Sequence, residues 1–130
     1  MILIDTSAWV EFLRGTESAA HKRVRGLLDD EIATCDAVRM EVLAGARSER
    51  HRDDIGRLLA RARTLETLSV DYEVAAVTYR YCRRGGETPR SLIDCLIAAV
   101  AIRAGVALLH ADRDFDVIAR HSQLETITAL

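Results

Sequence analysis

A chain of 130 residues that is 49% hydrophobic and 29% charged, with net charge −2, has enough apolar content for a buried core and enough charge for a solvated surface. That balance excludes a disordered chain and argues against capture of nucleic acid by bulk charge. Cys35, Cys82 and Cys95 are odd in number, far apart and without a Cys-x-x-Cys pair, so neither a disulfide framework nor a zinc ligand set is evident. No basic stretch precedes the apolar start, and the most apolar run, Cys95 to Ile102, falls far short of the ~20 residues that span a bilayer. The expectation is a protein of the reducing cytoplasm.

In chain order, Ile2, Leu3 and Ile4 form a short β-prone run closed by Asp5, Thr6 and Ser7, after which Trp9, Val10 and Leu13 take helical spacing. A buried strand running straight into a helix belongs to a parallel sheet, whose chemistry gathers beyond the carboxyl ends of its strands. Asp5 stands there, and it equally suits the N-cap of the helix that follows. Gly15 to Ser18 reads as a turn, Ala20, Val24, Leu27 and Leu28 as a second helix ending near Asp29 and Asp30, and Ile32 to Cys35 as a second strand. Asp36 suits the cap of a third helix through Val38, Glu41, Val42 and Gly45, and a basic helical stretch follows with Ile55, Leu58 and Leu59 on one face.

Every basic residue except Lys22 is an arginine, and several crowd between Arg47 and Arg63; a solvated helix face is a simpler reading of that crowding than a phosphate-binding surface. Leu65 to Val70 reads as a third strand. Asp71 opens a helix with Val74, Ala75, Val77 and Tyr81 that stops at Gly85-Gly86. In TPRSLIDCLIAAVAIRAG, from Thr88 to Gly105, Pro89 suits a first helical position and Gly105 the far end; apolar residues on every side predict a buried helix. Val106 to Leu109 is a fourth strand, Asp112 to Arg120 a helix, and Leu124 to Ile127 a last strand. Strands and helices alternate without repeat or linker, which predicts one three-layer α/β domain over residues 1–130 with a parallel central sheet.

Four acids stand at strand ends or where apolar residues would suit better. Asp5 ends the first strand, Glu41 lies on the stripe of Val38, Val42 and Gly45, Asp94 lies in the first turn of the buried helix above Ala98 and Ala101, and Asp112 follows the fourth strand after His110 and Ala111. Singly each has a structural role open to it: Asp112 as a cap, Ser91-x-x-Asp94 as a capping box, Glu41 paired with an arginine. Together they fall where an α/β sheet gathers its strand ends at one edge. Carboxylates so gathered repel by about 4 kcal/mol per close pair at an effective dielectric of ~20, while a helix N-terminus contributes only ~0.3–1 kcal/mol. Protonation or a cation has to offset the difference, and oxygen ligands without His or Cys favour magnesium or manganese over zinc. Such an ion activates water and holds a phosphate for in-line displacement.

Other chemistries lack their motifs. No Gly-x-x-x-x-Gly-Lys loop, Gly-x-Gly-x-x-Gly turn or Gly-x-Ser-x-Gly elbow is present, and of the scattered histidines only His110 falls near the acids, as a neighbour rather than a base. The segments ILIDTSAWVEFL at Ile2 to Leu13, EVLAG at Glu41 to Gly45, SLIDCLIAAVA around Asp94 and ADRDF at Ala111 to Phe115, in this order and spacing, resemble the PIN-domain ribonucleases, specifically the VapC-type toxins of bacterial toxin-antitoxin pairs. The resemblance implies a five-stranded parallel sheet between helices and a magnesium pocket, with manganese as a substitute, made by Asp5, Glu41, Asp94 and Asp112. It implies a supporting or direct ligand role for Asp114 and an orienting role for Thr6. His110 stands where the family's usual Thr would be.

The resemblance further implies an RNA substrate, such as tRNA or another structured RNA, a cognate antitoxin lying over the active-site groove, and a homodimer. Trp9, Phe12, Leu13 and the region from Arg47 to Arg63, Leu59 included, are then candidate antitoxin contacts. Two rivals remain at this stage: a PIN-like partner-binding module without turnover, and a haloacid-dehalogenase-like phosphatase, which needs a second Asp where Ser7 stands.

Overall fold

Leu3, Ile4, Ala33, Leu108 and Leu109 are wholly excluded from water, and strands buried on both faces require neighbours on both edges. In the computed structural model, which describes residues 1–130, β1 (Ile2–Ile4) pairs in parallel with β2 (Ile32–Cys35) on one edge and β4 (Ala107–His110) on the other. The outer positions belong to β3 (Arg63–Leu65) and β5 (Thr126–Thr128), also parallel, giving the order β3-β2-β1-β4-β5. The outer strands are more exposed, as edges with one covered neighbour should be.

Seven helices connect the strands: α1 (Thr6–Arg14) and α2 (Ala19–Leu27) between β1 and β2, α3 (Asp36–Ala44) and α4 (Glu49–Leu59) between β2 and β3, α5 (Ser69–Arg84) and α6 (Leu92–Ala104) between β3 and β4, and α7 (Arg113–Arg120) before β5. The chain steps outward from β1 to β3, then crosses back to β4 on the far side of β1. Right-handed crossovers lay helices of opposite steps on opposite faces of the sheet. The order therefore reverses at the carboxyl end of β1, beside β4, and that crevice is where parallel α/β sheets bind ligands. Around the sheet, 26 buried residues form one core in which Trp9 and Phe115 are the largest fully buried side chains.

The three-layer arrangement with a five-stranded parallel sheet is as the sequence predicts, and several local boundaries differ. The third strand is Arg63–Leu65, not Leu65 to Val70, because the Asp71 carboxylate accepts from the Leu68 amide (2.8 Å) and opens α5 at Ser69. The third helix is capped at Cys35 without a side-chain bond, so Asp36 is its first residue rather than its cap. Pro89 is buried in the approach to α6 and does not occupy the first helical position; Ser91 caps that helix by accepting from the Ile93 amide, while Gly105 closes it at φ +69°. Trp9 and Leu59, expected on a contact surface, are both 0% exposed. α1 turns Ala8 and Trp9 inward and α4 turns Ile55 and Leu59 inward, so neither Trp9 nor Leu59 offers a surface to a partner. The arginine-rich α4 exposes Arg50, Arg52 and Arg57, with Arg52 beside Asp53 and Arg57 beside Asp54, which is the solvated face the sequence suggests.

Candidate metal centre

Three carboxyl-bearing residues reach the crevice because each stands where a helix begins. Asp5 follows β1 and caps α1, accepting from the Ser7 amide (2.8 Å) and the Ser7 hydroxyl (2.6 Å). Asp112 follows β4 and caps α7, accepting from the Asp114 amide (2.9 Å). Asp94 lies in the first turn of α6. The Asp5 amide bonds the Leu109 carbonyl (2.9 Å), so the ends of β1 and β4 are fastened side by side. Glu41 comes from mid-α3 and accepts from the Thr6 hydroxyl at 2.7 Å.

Asp94, Asp112 and Asp114 each offer a carboxylate oxygen, and these oxygens lie within 4.8 Å of one another. Asp5 and Glu41 stand outside that tight group but within electrostatic reach of Asp94. Burial and then the charges of Asp5, Asp112, Glu41 and Asp114 push the Asp94 carboxyl up to about 7. Burial also raises Asp5, to about 6; bonds from Ser7 oppose the rise and the Glu41 charge adds to it. The Asp5 Oδ1 atom is buried without a hydrogen-bond partner, and a buried polar oxygen left unpaired costs ~1–3 kcal/mol. An all-oxygen set of carboxylates with one orphaned oxygen and protons held near neutrality suits a hard divalent cation.

Asp114, expected as a supporting or direct ligand, belongs to the tight group, and the Thr6 hydroxyl, expected to orient a ligand or water, donates to Glu41. His110 supports the backbone rather than offering a ligand: it is 0% exposed, its Nδ1 accepts from the Asp112 amide (3.2 Å), and its Nε2 faces Asp116 Oδ1 (3.3 Å) and the Thr128 hydroxyl. Burial holds its pKa below the usual histidine range despite the Asp116 charge, so at neutral pH it is an uncharged packing residue.

Two residues at the site escaped the sequence reading. The Ser7 hydroxyl donates to Asp5 and accepts from the Ala111 amide (2.9 Å), tying the ends of β1 and β4 together; its place two residues after Asp5 was the available signal. Arg90 donates from Nη2 to Asp112 Oδ1 (2.8 Å) and from Nε to Asp114 Oδ2 (2.9 Å), and a contact spanning more than twenty residues leaves no local pattern. Ser7, Arg90, Ala111, Arg113 and Leu130, with Asp112 and Asp114, line a cleft of about 500 Å³.

Comparison with known proteins gives concordant findings. The PIN domain family matches residues 2–121. Ribonuclease VapC11 of Mycobacterium tuberculosis is 49% identical over 129 residues, covering 96% of each chain. The fold matches VapBC2 from Rickettsia felis, solved bound to a DNA fragment from its promoter, with a TM-score of 0.79 and 18% identity over 98% of both chains. It matches a toxin-antitoxin complex from Klebsiella pneumoniae with a TM-score of 0.73 and 18% identity over 88% of this chain and 90% of that one.

The raised carboxyls carry a sign. Asp5 and Asp94 ordinarily titrate near 3.8 and are held at about 6 and about 7, so above pH 4 the folded chain keeps protons that the unfolded chain has lost. Stability then falls as pH rises through that window. In chelator, Tm should drop by about 5 °C between pH 6 and pH 8, and a saturating divalent cation should remove most of the drop. A Tm that is flat or rises over that interval in chelator would contradict the assignment.

Proposed function

The chain belongs to the VapC-type PIN-domain ribonucleases, and on that premise we propose that it is a magnesium-dependent endoribonuclease, with manganese as a substitute, acting as the toxin of a toxin-antitoxin pair. The observation that carries the reading is the convergence of Asp94, Asp112 and Asp114 within 4.8 Å beside the buried, proton-holding Asp5. Asp5, Glu41, Asp94 and Asp112 would hold the cation, with Asp114 beside them. Bound there, a divalent cation supplies positive charge to the scissile phosphate and makes water a stronger nucleophile.

The chain's own groups prepare that site. Ser7 fixes one oxygen of Asp5 and leaves Oδ1 unpaired, Thr6 aims Glu41, and the Asp114 amide in α7 holds Asp112. Asp94, its carboxyl held at about 7, would give up its proton near neutral pH and so be free to serve as a ligand. RNA is the substrate class, with tRNA or another structured RNA as the form proposed. The three buried free cysteines accord with the cytoplasm proposed for it, and no helix is long and apolar enough to cross a membrane. The phosphatase alternative loses its footing, because the Ser7 hydroxyl is engaged by Asp5 and Ala111 where that chemistry needs a carboxylate.

The proposed partners meet two other surfaces. A groove lined by Val10, Leu13, Arg14, Val42, Arg47 and Ile55 leads to Glu41, and its apolar floor with a basic rim suits an antitoxin segment that alternates apolar and acidic residues. On α5, Val70, Val74, Val77 and Tyr81 make an exposed apolar stripe between acidic Glu73 near one end and Arg80, Arg83 and Arg84 at the other. Two such helices laid antiparallel pair apolar with apolar and acid with base, the self-complementary arrangement a two-fold dimer needs.

Substituting Asp94→Asn should abolish cation-dependent RNA cleavage by purified protein while preserving or raising Tm in chelator, since it removes a repelling charge. Cleavage equal to that of the parent at matched magnesium would contradict the mechanism, and an absence of cleavage by the parent on diverse RNAs despite cation binding would favour the partner-binding module. The double variant Arg14→Glu with Arg47→Glu should bind a cognate antitoxin at least tenfold more weakly; unchanged affinity would remove the groove from the interface. For the dimer, Val77→Glu should shift sedimentation from dimer to monomer with little change in Tm, and a dimer that persists would place the two-fold elsewhere.

A further inference from the structure

Arg90 is bonded to the acids in a way that suits exchange. Its guanidinium reaches Asp112 Oδ1 through Nη2 and Asp114 Oδ2 through Nε, two of the three carboxylates whose oxygens lie within 4.8 Å. Charge for charge, an arginine and a divalent cation draw on the same acids. The side chain is nevertheless 76% exposed, so its head leaves no buried cavity when it moves. Its backbone stays pinned: the Arg90 amide donates to Asp114 Oδ2 at 3.0 Å, and Pro89 beside it is buried. Glu87, three residues earlier, is bonded to Arg120 and to His121, and the His121 ring lies so close to Gly85 that a Cβ there would meet it at 2.4 Å. The segment from Gly85 to Arg90 is therefore fastened to α7 at several points, and the free element is the Arg90 side chain.

With Nε and one Nη2 hydrogen engaged, three of the five guanidinium hydrogens remain, on a side chain that lines the cleft with Arg113. We propose that Arg90 is an exchangeable counter-ion: its guanidinium and a divalent cation compete for Asp112 and Asp114, and the displaced guanidinium becomes the donor that the cleft offers to an RNA phosphate. This rests on the functional reading above and adds to it a coupling between the ion and the substrate. Removing Arg90 then has opposite effects on the two ligands. The cation meets an unmasked acid cluster and binds more tightly, while RNA loses a charged donor and binds more weakly. A residue that only held the carboxylates in place would weaken cation binding when removed, so the direction separates the two roles.

The experiment is calorimetric titration of the full chain with manganese, comparing parent, Arg90→Gln, Arg90→Lys and Asp94→Asn, with KM for an RNA substrate measured at saturating manganese for the first three. Arg90→Gln should bind manganese about tenfold more tightly, within the range of ordinary site-to-site coupling, and show a KM raised severalfold. Arg90→Lys, which keeps the charge without the fork, should fall between parent and Arg90→Gln on both measures. Manganese affinity that is unchanged or weaker in Arg90→Gln, or an unchanged KM, overturns the proposal while leaving the cation site standing if Asp94→Asn binds manganese more weakly. Parent-like binding by Asp94→Asn instead overturns the cation site, and this inference with it.

Discussion

Five carboxylates, from Asp5, Glu41, Asp94, Asp112 and Asp114, are drawn toward one end of a small parallel sheet, and their mutual repulsion governs what surrounds them. Each close pair costs on the order of 4 kcal/mol at an effective dielectric of ~20, and proteins of this size are stable by only ~5–15 kcal/mol in all. The chain answers with local devices. Asp5 and Asp94 keep protons toward neutral pH, hydroxyls of Thr6 and Ser7 donate to Glu41 and Asp5, α1 and α7 each present one first-turn amide, from Ser7 and Asp114, to Asp5 and Asp112, and Arg90 lies across Asp112 and Asp114. Each is partial, and Asp5 Oδ1 remains buried without a partner. A site that stays under electrostatic strain after all these contributions is one poised for a cation, because the ion gains what the protein leaves uncompensated.

Topology makes the crowding possible. Because the strand order reverses between β1 and β4, the chain segments leaving those strands diverge and open a crevice rather than covering it. Asp5 is the first residue past β1 and Asp112 the second past β4, and the Asp5 amide and Ser7 hydroxyl stitch the strand ends together. α6 enters with its first turn at the same edge, and its small residues Ala98 and Ala101 pack fully within the core. The apolar interior thus fixes the positions of groups whose charges oppose one another, which is why the core around Trp9, Ile97, Leu109 and Phe115 matters to the chemistry as much as to stability.

Much of this was legible in the residues. The run Ile2 to Ile4 closed by Asp5 announces a buried strand ending in an acid, and the all-round apolar helix after Ser91 announces burial that makes Asp94 conspicuous. What failed did so for physical reasons. The edge strand β3 buries little, so Arg63 and Thr64 carried no apolar signal, while Leu65, Leu68 and Val70 suggested an alternation that the Asp71 bond to Leu68 converts into a helix start. Family resemblance alone marks Trp9 as an antitoxin contact, yet this largest residue of α1 is one the core encloses. Arg90 and the role of Ser7 depend on contacts across 24 and 104 residues, which no local period reports.

The most direct test of the central claim is anomalous diffraction from crystals of the protein loaded with manganese near pH 7.5. The account predicts an anomalous peak bounded by carboxylate oxygens drawn from Asp5, Glu41, Asp94, Asp112 and Asp114, with Asp5 Oδ1 no longer without a partner. Crystals at saturating manganese that show no peak there, or a peak held by other residues, would contradict it.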